Sequence, residues 1–209
     1  MKQAGILIVF IFLLSSSFAQ STFTLKYFGL TVHPFGDPTA HLQPYKFDKK
    51  ARFVANFGGF VGYEKFVYRD VVSVKVIQGL FSDCSAGFAS VTHIGPRLNL
   101  MKLDKHKVYV GIGPTLILRN SWTRFGESYT SSGFFNVTET QRFGDVQWKF
   151  IPYGMEFEYD YAITARDQLS VSFTPGVPLA MIFSFGWKHW ITTKEYDKYK
   201  VYIPRGKRK

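Results

Sequence analysis

Apolar and polar side chains alternate along most of this chain with a period of two. Over residues 147–162, Ile151, Tyr153, Met155, Phe157, Tyr159 and Tyr161 stand against Gly154, Glu156, Glu158 and Asp160. Over 107–121, Val108, Val110, Ile112, Leu116 and Leu118 oppose Tyr109, Gly111, Gly113, Thr115 and Arg119. The same pattern sets Phe53, Ala55, Phe57, Val61 and Tyr63 against Arg52, Asn56, Gly58, Gly62 and Glu64, and Leu179, Met181, Phe183, Phe185 and Trp187 against Ala180, Ser184, Gly186 and Lys188. A two-residue period puts successive side chains on opposite faces of a strand, and no sustained 3.6-residue period competes with it. The pattern predicts eight strands, at 22–33, 51–67, 71–81, 87–101, 107–121, 147–162, 168–174 and 179–191, and an all-β fold. Most of them reach the roughly 9 to 11 residues that a tilted strand needs to cross a bilayer; the seventh is the short exception.

Alternation alone fits a soluble barrel or a membrane barrel, because turning the wall inside out leaves it unchanged. Residue size separates the two. Glycines cluster on the polar face and large aromatics crowd the apolar one, the reverse of a soluble barrel filled by bulky apolar side chains. The pattern predicts an antiparallel up-and-down transmembrane β-barrel with a narrow polar lumen and a lipid-facing belt. Trp122, Trp148, Tyr159, Tyr161, Trp187 and Trp190 fall near strand ends, where interfacial girdles are expected. Three connections, at 69–70, 103–106 and 163–167, are short and share one end; the long ones, 34–50 and 120–146, share the other. The repeated Ile-Gly-Pro at 94–96 and 112–114, together with Pro152, marks bulges or bends, because proline cannot donate to the ladder.

The ends divide the chain further. Residues 1–20 carry Lys2, an apolar run from Ile6 to Leu14 and small residues at Ser17 and Ala19, the pattern of a secretory signal peptide. The barrel then spans 21–191, and 192–209 forms a basic tail. The net charge of +11 suits anionic lipid headgroups in an exported chain better than nucleic acid. With Cys84 as the single cysteine, the fold stands without an internal disulfide.

Chemistry is sparse. Glu156, Glu158 and Asp160 share the interior with Arg52, Glu64, Lys75, His93, Arg97, Arg119 and Lys188. Charges in a narrow lumen must pair, so a salt-bridged plug is expected, with a cation site or selective pore as the sharper alternatives. A hydrolytic pair of Ser90 and His93 is disfavoured, since their opposite parity places them on opposite faces. The histidines at 33, 41, 93, 106 and 189 lack ligand spacing, so neither metal nor cofactor is expected. Trp122, Phe125, Tyr129, Phe134 and Phe135 make the loop at 120–146 either a recognition surface or a cap packed on the rim.

With signal, amphipathic strands and short-long connections in place, the chain resembles the small outer-membrane barrels of the OmpA and OmpX type, those of Bacteroidota in particular. The resemblance implies a monomer in bacterial outer-membrane lipid, with a structural or adhesive role or an extracellular partner held by loops 34–50 and 120–146. A barrel-embedded lipid-modifying enzyme, a narrow pore and a secreted lipocalin-like barrel holding a small apolar ligand remain alternatives.

Overall fold

The computed structural model describes residues 20–128, 141–176 and 180–191. The leader expected at 1–20 lies outside them apart from Gln20, as does the tail at 192–209. Ten strands run in order: β1 (Ser21–Val32), β2 (Phe53–Ala55), β3 (Gly58–Tyr68), β4 (Val72–Ser82), β5 (Phe88–Leu103), β6 (His106–Asn120), β7 (Gln141–Phe143), β8 (Val146–Ala162), β9 (Asp167–Gly176) and β10 (Ala180–Trp190). Eight are staves in the order β1-β3-β4-β5-β6-β8-β9-β10, every neighbouring pair antiparallel, and β10 pairs back onto β1 from Thr22↔Trp190 to Val32↔Met181. That last pairing closes the sheet, so the fold is an all-β, up-and-down, eight-stave barrel without a free edge. The two remaining strands, β2 and β7, are short additions on β1 and β8.

Alternation dictates which side chains enter. Along β8, Glu156, Glu158 and Asp160 are buried, while Met155 before them and Tyr159 among them are exposed and Phe157 is half-buried. Exposed Leu25, Leu80, Leu98, Ile112, Phe150 and Phe185 sit on six different staves, so the apolar wall runs around the barrel. Among the described residues no helix is long and apolar enough to cross a membrane, which says nothing of strands.

Several elements depart from the expected ones. The strand at 51–67 is two pieces: Asn56 turns inward, its amide donating to Thr31 Oγ1 at 2.7 Å, and Gly58 resumes the stave at φ 154. A side chain at Gly58 would strike the backbone of Leu80 and Phe81. The seventh stave is not short, since β9 has 10 residues. Pro152 does sit at a bulge: between Gly113↔Gly154 and Thr115↔Ile151 the register slips by one residue. The slip reverses the parity of β8, so Ile151 faces the lumen and not the outer wall on which strict alternation put it. Pro114 lies opposite Pro152 in that same slip, whereas in the β5–β6 ladder Pro96 and Pro114 interrupt the pairing without shifting it, and Gly95 and Gly113 meet back to back there.

The expected girdle needs correcting as well. Trp187 and Tyr159 face outward near the turn end, with Trp187 Nε1 donating to Asp167 at 2.9 Å and Tyr159 Oη 2.6 Å from His106 Nδ1. Trp190 and Trp122 are buried and belong to the interior and the rim. Trp190 holds the last inward position of β10, and Trp122 lies in the helical turn after β6, where Asp83 holds it.

Candidate functional site

The lumen has two halves. Nearest the short turns, the Phe66 and Trp190 rings stack at 5.0 Å, and the Lys107 ammonium lies 4.6 Å over Trp190. Above them Tyr109 is buried with Arg97 and Lys188 each 4.7 Å from its ring. Aromatic rings and cations therefore pack together at this end, where Lys107 and Tyr109 pair in register with Asp160 and Glu158.

The next layer is an ion network of four carboxylates, Glu64, Glu156, Glu158 and Asp160, and four cations, Lys26, Lys75, Arg97 and Lys188. Glu158 is its centre. It accepts from Lys26 Nζ at 2.5 Å, Lys75 Nζ at 2.6 Å, Arg97 Nη2 at 2.7 Å and also Lys188. Glu156 accepts from Lys75 at 2.9 Å and 3.0 Å; Asp160 from Lys188 at 2.5 Å and Ser170 Oγ at 2.5 Å; Glu64 lies 2.8 Å from Arg97 Nη1. The formal charges of these eight groups cancel. That balance is what burial requires, since a single unpaired charge would cost several kcal/mol. Lys26 completes the balance, and the parity of Thr22, Thr24 and Lys26 against Phe23, Leu25 and Tyr27 is the signal that identifies it.

The other interior candidates do not join this network. His93 pairs through Nδ1 with Thr115 Oγ1 at 2.7 Å, and Arg119 stands at the outer end, donating to Gln147 at 3.2 Å with its guanidinium 4.7 Å over Trp122. Arg52 is exposed in the loop after β1, so its place in the lumen is withdrawn; the break at Asn56 ends the stave before its parity applies. Ser90 faces outward, bonded to Gln78 Nε2 at 2.9 Å, and is thus separated from His93 by the wall. Among the described residues no three His, Cys, Asp or Glu are grouped to hold a metal.

Above the network the lumen opens into a cavity of about 910 Å³. Phe28, Phe60 and Phe81 form one wall, with centroids of Phe28 at 5.4 Å from Phe60 and 4.3 Å from Phe81. Lys26, Lys75 and Glu156 make its floor, and Asp37, Lys50, Asp83 and Trp122 reach its mouth. Asp83 ties this rim together: one oxygen accepts from Ser85 N, Ser85 Oγ and Gly87 N, and the other from Trp122 Nε1 at 2.6 Å. Next to it, burial first and then the Asp83 charge push the Cys84 thiol up to about 12.

Of the loop aromatics read from sequence, Trp122 packs down on the rim and Phe125 is half-buried under Arg124; Tyr129, Phe134 and Phe135 lie outside the described residues. The loop between β1 and β2 carries aromatics that the sequence reading passed over: Phe35 is 83% exposed and Phe47 71%. Phe47 falls between Lys46 and Asp48, a setting with no periodic signal.

No family model and no curated protein matches this chain. Solved structures similar in shape include Ail of Yersinia pestis in complex with the heparin analogue sucrose octasulfate, at 11% identity and TM-score 0.44 over 82% of this chain and 98% of that one. The N-terminal β-barrel domain of Pseudomonas aeruginosa OprF is similar at 15% identity and TM-score 0.42 over 82% and 98%, and Neisserial surface protein A at 11% and 0.41 over 81% and 96%. The class stands on the pairing register and not on these likenesses: a closed antiparallel barrel of eight staves, apolar outside and charged within.

Proposed function

We propose that this protein is a bacterial outer-membrane barrel without catalytic function, whose sealed lumen makes it a rigid platform for its outer loops. One observation carries the reading: large apolar side chains are exposed on the outer wall all around the barrel while the charged ones are buried inside. Water disfavours such a wall, and contiguous exposed apolar surface of this extent is rare in soluble monomers. Hydrocarbon favours it, and closure satisfies every backbone group that lipid cannot.

The lumen supports a platform over a pore. Stacked Phe66 and Trp190, Tyr109 and the neutral ion network occupy the half nearest the turns, and no step of hydrolysis can run between Ser90 and His93 across the wall. The exposed Phe35 and Phe47 on the loop side support adhesion or partner binding there.

The test is to express the whole chain in a bacterium with two membranes, separate the envelope fractions, and run the outer-membrane fraction on SDS gels with and without boiling. Migration that shifts on boiling is the expected result. A soluble protein without the shift would reverse the assignment of the wall and leave a secreted barrel.

A further inference from the structure

We propose that the outer half of the lumen is a binding chamber for an unbranched aliphatic chain with one small oxygen headgroup, the class of free fatty acids. An interior of eight staves is either filled by side chains or able to hold one small ligand. This one does both, in separate halves. Below, the ion network and the Phe66–Trp190 stack fill it; above, a cavity of about 910 Å³ remains. That volume falls within the range of small-molecule sites.

The walls select the chain. Phe28, Phe60, Phe81, Val91, Ile117 and Ile182 line the cavity, an apolar surface on the side of the barrel where alternation otherwise brings polar groups. Gly62, Ala89 and Gly154 line it without bulk, which keeps the bore open. Below, Lys26 and Lys75 already hold Glu156 and Glu158, so a headgroup gains nothing by reaching them. Nearer the mouth, Asn56 is 1% exposed and its Oδ1 has no hydrogen-bond partner, while its amide nitrogen donates to Thr31 and Val54. Thr24 Oγ1, deeper on the same wall, is also buried and unpartnered. A buried acceptor left open is costly, and it is the acid form of the headgroup, whose O–H is the donor that a carboxylate lacks, that satisfies Asn56 Oδ1 near the mouth. The chain therefore enters tail first, with its protonated headgroup beside Asn56.

The inference rests on the interior and not on the solvent of the outer wall, so the boiling gel and the following experiment fail separately. The intact protein, in lipid nanodiscs if it is a membrane protein and in buffer if not, is irradiated with a palmitate carrying a photoreactive diazirine near its terminal methyl. Labelled positions are then mapped by peptide mass spectrometry. Label on Phe28, Phe60, Phe81 or Val91 is expected, and about a tenfold loss of it in Val91→Trp and Ile117→Trp, which fill the bore, with outer-wall label unchanged. Label confined to outward residues such as Leu25 and Phe150, equal in wild type and variants, overturns the proposal. If both variants lose the heat shift, the wild-type map decides alone, by inward or outward label.

Discussion

Phe66 and Trp190 stack at 5.0 Å with 19° between their planes, each buried, from staves that flank β1 on opposite sides. They are the lid of the lumen at its turn end. Trp190→Ala removes a stacked ring and the face on which Lys107 rests, and cavity formation of this kind costs about 3 to 5 kcal/mol. The variant is expected to lose its boiling-dependent migration at a lower temperature than wild type and to unfold at lower urea, followed by fluorescence of the remaining tryptophans. An unchanged midpoint would show that the stack contributes no stability.

Glu158 tests the ion network, because four cations converge on one carboxylate. Glu158→Gln leaves an excess positive charge in a dry interior, and breaking a buried pair from one side costs about 3 to 5 kcal/mol. Adding Lys26→Met restores the balance, so the double variant is expected to recover much of the loss in urea unfolding. Independent, additive effects would mean that the two groups are not coupled.

Much of this barrel is legible in the sequence, and the failures have physical causes. Parity alone places Glu156, Glu158, Asp160, Arg97 and Lys188 inside, because a closed wall has only two faces. It errs at Ile151, where the Pro152 bulge inserts one residue and turns every residue before it to the other face. It errs at Arg52 because the stave stops at Asn56, and no residue type announces that stop. Trp190 and Trp122 show that position near a strand end does not decide between girdle and interior: Trp190 takes the last inward parity of β10, and Trp122 lies past the end of β6 in a helical turn tied to Asp83. The chamber was not legible at all, since Phe28, Phe60 and Phe81 come from three staves and only the closed register brings them together.

The close approach of β5 and β6 gives a third prediction. At Gly95 an added Cβ would fall on the Ile112 carbonyl and beside Gly113, so nothing flexible can yield. Gly95→Val is expected to abolish the heat-shifted form, whereas Gly144→Val, at a loop position with open space around it, is expected to retain it despite its positive φ. A heat-shifted Gly95→Val would show that the two strands can separate.

Cys84 offers a reporter of folding. With its thiol pushed up to about 12 by burial and by Asp83, the reactive thiolate is scarce at pH 8. Alkylation by iodoacetamide is expected to be slow in the folded protein and fast after boiling in SDS. Asp83→Asn removes part of the cause and the rim's anchor for Trp122, so it is expected to speed alkylation in the folded state. Equal rates in folded and boiled samples would place the sulfur in open solvent.

Asp48 gives the loop before β2 its pH dependence. Desolvation pushes its carboxyl up, but the backbone N–H groups of Phe53, Arg52 and Lys50 together outweigh it and hold the group below its ordinary 3.8. A carboxylate depressed in the folded state stabilises above its unfolded value, and that contribution fades as pH falls through the lower folded one. The loop is therefore expected to keep its order from neutral pH down to about 4 and to loosen below it, while the sealed barrel holds. Amide hydrogen exchange at Arg52 and Phe53 measures this directly. Asp48→Asn is expected to remove the acid transition, and exchange that is flat with pH in wild type, after correction for its intrinsic rate, would mean that the carboxylate does not order the loop.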